Sequence, residues 1–252
     1  MVPLVRWERP PNHTRKRHRQ DLAASGSGRM TLSTSNPLGS GASTAPALEM
    51  DLLNRLTRPM NIIEGWLTIA RRGWTLNCDP RHDENDISLI VIHCISLPPR
   101  EFGGQWIDQL FGNQLDPAAH PYFESICHLR VSAHLLIRRD GEIVQYVPFH
   151  KRAWHAGISN YEGRACCNDF SIGIELEGTE ITPYTDAQYR QLGEVIKALI
   201  RSYPNLSADR ITGHSDIAPE RKTDPGPSFD WQRLQALLTP EAIRASTEAG
   251  DS

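Results

Sequence analysis

The apolar positions of this chain change period several times, and each change marks an element. Ile87–Ile92 (ISLIVI) is apolar without alternation, which suits a strand covered on both faces. His93 closes that run, so its imidazole is expected at a strand end. SLPPREFGG then reads as a loop, and Gln105–Phe111 and Ala119–Cys127 as two short helices. Ala133–Arg138 reads as a strand, Asp140-Gly141 as a hairpin turn and Glu142–Val147 as the partner strand. Residues 148–170 show little periodicity and read as one long, aromatic-bearing loop, a length that is usually functional or mobile. Ser171–Glu177 (SIGIELE) alternates, with Ile172, Ile174 and Leu176 on one face and Ser171, Gly173, Glu175 and Glu177 on the other. Tyr189, Leu192, Val195, Ile196, Leu199 and Ile200 recur at helical spacing behind a Thr185/Gln188 capping box and end before Pro204. Arg210–Gly213 reads as a short strand. Asp230 reads as the cap of a helix Trp231–Leu238 stopped by Pro240.

Residues 1–59 lack such a pattern. A basic, Pro-containing opening (RPPNHTRKRHRQ) leads into a Ser/Thr/Gly/Ala/Pro stretch, too poor in apolar side chains to offset the entropy of ordering. The expectation is a disordered extension over 1–59, one folded domain over 60–238 and a flexible tail over 239–252. The basic cluster Arg15–Arg19 reads as a solvated tail rather than a nucleic-acid contact. The Arg- and Ser-rich, acid-poor character is weakly that of a transit peptide, and Met50 or Met60 would serve as an alternative start. Residues 1–59 hold nine Lys and Arg against four Asp and Glu, net +5, and the remainder eighteen against twenty-six, net −8. An acidic main body is not built to hold a phosphate backbone, so no nucleic-acid partner is expected. Five cysteines, odd in number and without a CxxC pair, suit a reducing cytoplasm better than a disulfide framework. No apolar run approaches the ~20 residues that span a bilayer, and the start shows no secretory signal, so no membrane partner is expected.

Candidate chemistry gathers in a few places. Thr212–Pro227 (TGHSDIAPERKTDPGP) carries Pro219, Pro225 and Pro227, which argues for a stiff loop rather than a regular helix or an interior strand. It presents His214, Lys222 and Asp224. His and Asp are ordinary zinc ligands, and a lysine between them is an odd choice for a purely structural loop. Taken alone, metal site and polar surface loop are equally good readings. His93, alone, reads as a hydrogen-bonded structural residue, and His134 as core or a supporting residue. Trp154 and His155 lie where a cleft lining would be, although packing is the favoured reading for His155. Glu175 is costly in mid-strand unless it has a partner or a task, and Gly173 would keep its side of the sheet open. Glu177, near the strand end, reads as an exposed edge. Two histidines and a carboxylate, with one position left for water, are what a catalytic zinc requires.

These residues sit inside seven blocks that occur in order: EGW at 64–66, VIHCISLPPREFGG, LRVSAHLLIRRDGEIVQYVPF, KRAWHAG, NDFSIGIELEG, YTDAQY and TGHSDIAPERKTDPGP. Together they resemble the zinc amidases that include phage T7 lysozyme and the peptidoglycan recognition proteins, over about residues 64–238. The resemblance implies an α/β (α+β) fold with a single central mixed β-sheet flanked by helices. It implies zinc on His93, His214 and Asp224, with Glu175 and Lys222 catalytic and Arg130 and Trp154 at the substrate cleft. One branch places a cysteine at the third metal position. This chain has the aspartate of the other branch, which acts on 1,6-anhydro-N-acetylmuramoyl-L-alanine. Two departures fall near the inferred cleft: HCIS where that branch reads HNIS, placing Cys94, and CCNDFS where it reads RCNDFS, placing Cys166. Cys94 is not expected as a ligand, because neighbours in an extended strand point to opposite faces.

The activity so implied is zinc-dependent hydrolysis of the amide between anhydromuramic acid and L-alanine, by a cytoplasmic monomer acting on small muropeptides in peptidoglycan recycling. A non-catalytic peptidoglycan-binding module and an amidase acting on intact wall are the competing readings.

Overall fold

A computed structural model describes residues 60–248; the expectations for residues 1–59 and for the last four residues lie outside the described residues. Apart from Ser88, the run Ile87–Ile92 is apolar because its strand lies inside a sheet covered on both sides. Six strands form that sheet: β1 (Arg71–Arg72), β2 (Leu89–Ile95), β3 (Leu135–Ile137), β4 (Ile143–Gln145), β5 (Ser171–Glu177) and β6 (Ile211–Gly213). Their spatial order is β6-β2-β5-β3-β4-β1. Every adjacent pair is parallel except the β3–β4 hairpin, so the sheet is mixed, as expected.

The two faces differ. Ile90 and Ile92 of β2 and Ile172, Ile174 and Leu176 of β5 pack beneath a helix, α2 (Asp186–Ser202), through its Tyr189, Leu192, Val195, Ile196 and Leu199. The helix begins where the capping box placed it: Thr185 Oγ1 accepts from Gln188 N at 3.1 Å, and Gln188 Oε1 accepts from Thr185 N at 3.1 Å. The opposite face is covered in two parts. Leu136, Val144 and Phe123 pack with α1 (Trp106–Phe111) under one half. Leu89, Val91, Phe170 and Ile217 pack under the other. His93 and Glu175 lie on this second face, toward the C-terminal ends of β2 and β5.

Several boundaries differ from the sequence reading. β2 continues past His93 to Ile95, so the imidazole is inside the strand. Only Phe123–Ser125 of the expected second helix turns, as 3-10 helix, because Pro121 biases the residue before it away from helical backbone. The long loop 148–170 is broken up by two short ladders. Lys151–Ala153 pairs with Cys78–Pro80, and Asn160–Tyr161 with Arg164–Ala165. One helical turn, α3 (His214–Ile217), opens the proline-rich segment; it ends before Pro219, and Asp216 Oδ2 accepts from Gly213 N at 2.8 Å. The helix α4 (Trp231–Leu237) is capped by Asp230, whose Oδ1 accepts from Arg233 N at 2.9 Å. α4 ends before Pro240, as expected, and Pro240 starts a separate helix, α5 (Pro240–Glu248), within the stretch read as a tail, since proline is well placed at a first helical position.

Glu177 is the clearest reversal. β5 is central, not an edge, and Glu177 is 2 % exposed. Its carboxylate meets Arg138 Nη1 at 3.2 Å and accepts from Gly103 N at 2.6 Å and Arg139 N at 3.1 Å. It thereby ties the 96–104 loop to the β3–β4 turn. Arg138 also meets Asp108 and Glu142, at 2.9 and 3.2 Å, so loss of Glu177 does not strand its charge; it leaves the Gly103 and Arg139 N–H groups without their acceptor. Glu177→Ala is therefore expected to lower the urea-unfolding free energy by about 2–4 kcal/mol, at about 1–3 kcal/mol for each unsatisfied buried group. A loss below about 1 kcal/mol would show that this carboxylate is not holding these loops.

Candidate metal centre and active site

Strand register assembles the site. In the parallel β2–β5 ladder Glu175 stands opposite His93, and in the β2–β6 ladder Gly213 stands opposite Ile92. The residue after Gly213, His214, therefore enters beside His93. Asp224 is held near by the chain that loops back, with its carbonyl accepting from Ser215 N at 2.9 Å. The result is a triangle of donor atoms. His93 Nδ1 lies 3.0 Å from His214 Nδ1 and 3.1 Å from Asp224 Oδ2, and His214 Nδ1 lies 3.1 Å from the same oxygen. Both imidazoles are buried, and the three residues form a potential metal-binding group among the described residues.

The chemistry of this donor set fits a cation. His214 Nε2 lies 3.1 Å from the Ala156 carbonyl, which only accepts, so Nε2 carries that ring's proton and Nδ1 a lone pair. The Asp224 carboxyl is held well below the usual range: burial pushes it up, and the contacts with His214 and His93 overcome that. Burial first, then His214, push His93 down to about 4. Two ring-nitrogen lone pairs and an ionised carboxylate aimed at one point repel unless a positive charge sits among them. Ligand atoms of a tetrahedral zinc with bonds near 2.0–2.1 Å are about 3.3 Å apart, close to the spacing seen here.

Of the other expected residues, Glu175 and Lys222 stand beside the triangle. Glu175 Oε2 is a buried oxygen without a hydrogen-bond partner. Burial, and then the charge of Asp224, hold its carboxyl well above the usual range, opposed by Lys222. Lys222 is itself buried, and desolvation pushes its amine down to about 8 against the attraction of Asp224 and Glu175. A buried acceptor with nothing to accept and a buried amine close to it are groups arranged for something that arrives. Trp154 is half-buried, with its backbone N–H donating to Ser132 Oγ at 3.1 Å. Arg130 is exposed, and its Nη1 turns back to the carbonyls of Leu129 and His128 at 3.1 and 3.2 Å. Cys94 leaves by the other face, packed against the core beneath α2, and burial pushes its thiol up. Cys166 is exposed at a left-handed position, φ 61°.

The sequence reading missed the ring that supports His93. His155 was assigned to packing; its Nδ1 lies 2.9 Å from His93 Nε2. Gly173 does not keep an open space. The His155 ring fills it, and a Cβ at Gly173 would lie 2.4 Å from the ring's Cγ. The two smallest side chains on that face of β5, Ser171 and Gly173, were the available signal. Behind them Arg81 is buried, donating to the carbonyls of Phe149, Asn168, Asp169 and Ser171 at 2.7–3.1 Å, and desolvation lowers it to about 10. Burial holds His134 and His155 well below the usual imidazole range, and the Arg81 charge adds to that.

Comparison with known proteins gives a consistent picture. The family described as N-acetylmuramoyl-L-alanine amidase matches residues 83–227. The 1,6-anhydro-N-acetylmuramyl-L-alanine amidase AmpD of Citrobacter freundii is 64% identical over 188 residues, covering 75% of this chain and 100% of that protein. The AmpD of Escherichia coli K12 is 63% identical over 182 residues, covering 72% of this chain and 99% of its own. A crystal structure of a selenomethionine AmpD derivative superposes with a TM-score of 0.70 at 66% identity, over 71% of this chain and 100% of that one.

The buried carboxyl has a measurable consequence in metal-free protein. A group whose folded pKa lies above its unfolded value binds more protons when folded, so stability falls as pH rises past the unfolded value, near 4.3 for Glu. The buried histidines act the other way, adding stability as pH rises through their unfolded value. Comparing Glu175→Gln with the parent protein cancels that contribution. The variant is expected to lose less stability, or gain more, between pH 5 and pH 8, read from urea midpoints. Parallel pH profiles would show that Glu175 ionises as readily folded as unfolded.

Proposed function

The chain belongs to the N-acetylmuramoyl-L-alanine amidase family, and on that basis we propose that it hydrolyses the amide joining 1,6-anhydro-N-acetylmuramic acid to L-alanine in small muropeptides, with zinc held by His93, His214 and Asp224. The observation that carries the metal is the triangle of two imidazole nitrogens and one carboxylate oxygen, each 3.0–3.1 Å from the others, with Glu175 on the adjoining strand. The substrate is taken from the names of relatives that this chain matches over nearly their whole length.

Zinc at such a site supplies Lewis acidity, making water nucleophilic near neutral pH and polarising a carbonyl. Two histidines and one aspartate would hold it and leave one position for water or substrate. Glu175 is the base. Its unpartnered Oε2 takes a proton from the attacking water as the new carbon–oxygen bond forms. The raised affinity of this carboxyl for a proton lets it hold that proton and pass it to the alanine nitrogen as the carbon–nitrogen bond breaks. The Lys222 amine faces the oxygen that becomes negative in the tetrahedral transition state, where a cation lowers the barrier more than it stabilises bound substrate. Arg130 and Trp154 contact the sugar or stem peptide at the rim.

Further proposals concern setting. The five thiols are all unpaired, which suits a reducing cytoplasm. No helix of the described residues is long and apolar enough to cross a membrane. A cytoplasmic monomer acting on released muropeptides, in recycling of peptidoglycan, is the setting that follows from an anhydro-sugar substrate.

Purified protein assayed on anhydro-muropeptide should lose activity with a chelator and regain it with zinc, and should cleave polymeric peptidoglycan much more slowly. Glu175→Ala and Lys222→Ala should each keep zinc and lose about 10²–10³ in kcat. His93→Ala and Asp224→Ala should lose zinc by elemental analysis. Full zinc occupancy in the last two would remove them from the ligand set, and chelator-resistant activity would remove zinc from the mechanism.

A further inference from the structure

The ring nitrogen of His93 that points away from the triangle has a partner of its own. His93 Nε2 lies 2.9 Å from His155 Nδ1, and His155 Nε2 lies 3.2 Å from Ser171 Oγ. The Ser171 hydroxyl donates to the Cys167 carbonyl at 2.5 Å. This last contact sets the direction of the whole chain. A carbonyl only accepts, so the hydroxyl proton is committed to Cys167 and the Ser171 oxygen is left to accept. His155 Nε2 then carries its ring's proton and His155 Nδ1 a lone pair. That lone pair accepts from His93 Nε2–H. The remaining nitrogen of His93, Nδ1, is bare, and it is the atom aimed at His214 and Asp224.

The surroundings hold His155 in that pose. The residue is 3 % exposed. Its backbone N–H and that of Ala156 both donate to Asn168 Oδ1, at 3.1 and 2.8 Å. Its ring stands edge-on to His93, with centroids 5.0 Å apart and planes at 86°. It also lies flat against Gly173, where any side chain would meet ring atoms at 2.4–2.7 Å.

We infer that His155 is a positioning residue of the metal centre, which fixes the tautomer and orientation of His93 so that Nδ1 meets the ion. The inference rests on the amidase reading for the metal, but the tautomers it requires exist before any metal binds. His155 does so without bringing a charge, unlike a carboxylate in the same place. Gly173 is the space that admits it, so the glycine two residues before Glu175 belongs to the metal centre and not to the cleft.

Two measurements test this. In metal-free, ¹⁵N-labelled parent protein, long-range nitrogen–proton NMR should show the Nε2–H tautomer for both His93 and His155. A proton on Nδ1 of either ring would overturn the inference, whatever metal the protein takes. In chelator competition, His155→Phe keeps ring volume but offers no acceptor, and its zinc affinity should fall about tenfold to a hundredfold. His155→Asn retains an acceptor near the Nδ1 position and should stay within about threefold of the parent, with a parent-like cobalt(II) absorption spectrum. A phenylalanine variant binding as tightly as the parent, or an asparagine variant as weak as the phenylalanine one, would overturn it. If circular dichroism shows the phenylalanine variant unfolded, the tautomers and the asparagine variant decide. Failure of the parent to bind zinc would defeat the amidase reading, while the NMR result would still judge the role of His155.

Discussion

Three acceptor atoms facing one another at 3.0–3.1 Å are an electrostatic problem before they are an active site. Each would be stabilised by water or a proton if it could reach one. Here both imidazoles are buried, and the ring protons are used elsewhere. Only a sheet that fixes its strands in register can hold such a triangle together. Parallel strands β2, β5 and β6 bring Glu175, His93 and the residue after Gly213 to the same level, although they are far apart in sequence. The fold keeps the donors in place, and a cation relieves what the fold imposes.

The polar layer behind the triangle follows from the same demand. A buried ligand histidine must place its second ring nitrogen somewhere. His214 gives its proton to the Ala156 carbonyl, and that carbonyl also accepts from Arg221 Nη2 at 2.7 Å. His93 faces a second histidine. That ring can be kept neutral only in a dry setting, and the buried Arg81 guanidinium behind it makes a second positive charge still less favourable. Arg81 in turn is tolerated because four backbone carbonyls accept from it. Each of these rings and the guanidinium is satisfied by the next layer outward, until backbone carbonyls end the series.

Much of this was legible in the sequence, for identifiable reasons. The apolar run at 89–92 and the alternation of 171–177 report burial, which side-chain type records directly. The capping box at Thr185 and Gln188 is a local interaction and formed where it was expected. What sequence could not report was depth within the sheet. Glu177 looked like an edge because its neighbours end the strand, and only the order β6-β2-β5-β3-β4-β1 shows that β5 is interior. Gly173 looked like open space because an absent side chain does not say what replaces it. His155 lies in a stretch without periodicity, and its contact with His93 spans 62 residues of chain. Pro240 both follows the end of α4 and opens α5, because proline acts on the residue before it and on its own N–H, so its effect depends on where a helix begins.

Glu175 and Glu177 show why residue type alone is a poor guide to chemistry. They are two positions apart on one strand and face the same side of the sheet. Glu177 meets an arginine and two backbone N–H groups, so its charge is fully compensated and it holds loops together. Glu175 has an oxygen with no partner and a carboxyl whose affinity for a proton burial raises. The first arrangement lowers the energy of the folded protein and leaves nothing to offer a substrate. The second raises it, and the unspent capacity to accept a proton is what a hydrolytic base needs. A fold optimised only for stability would treat both carboxylates alike. That this one satisfies the outer glutamate and leaves the inner one beside His93 unsatisfied locates the reactive point on the strand.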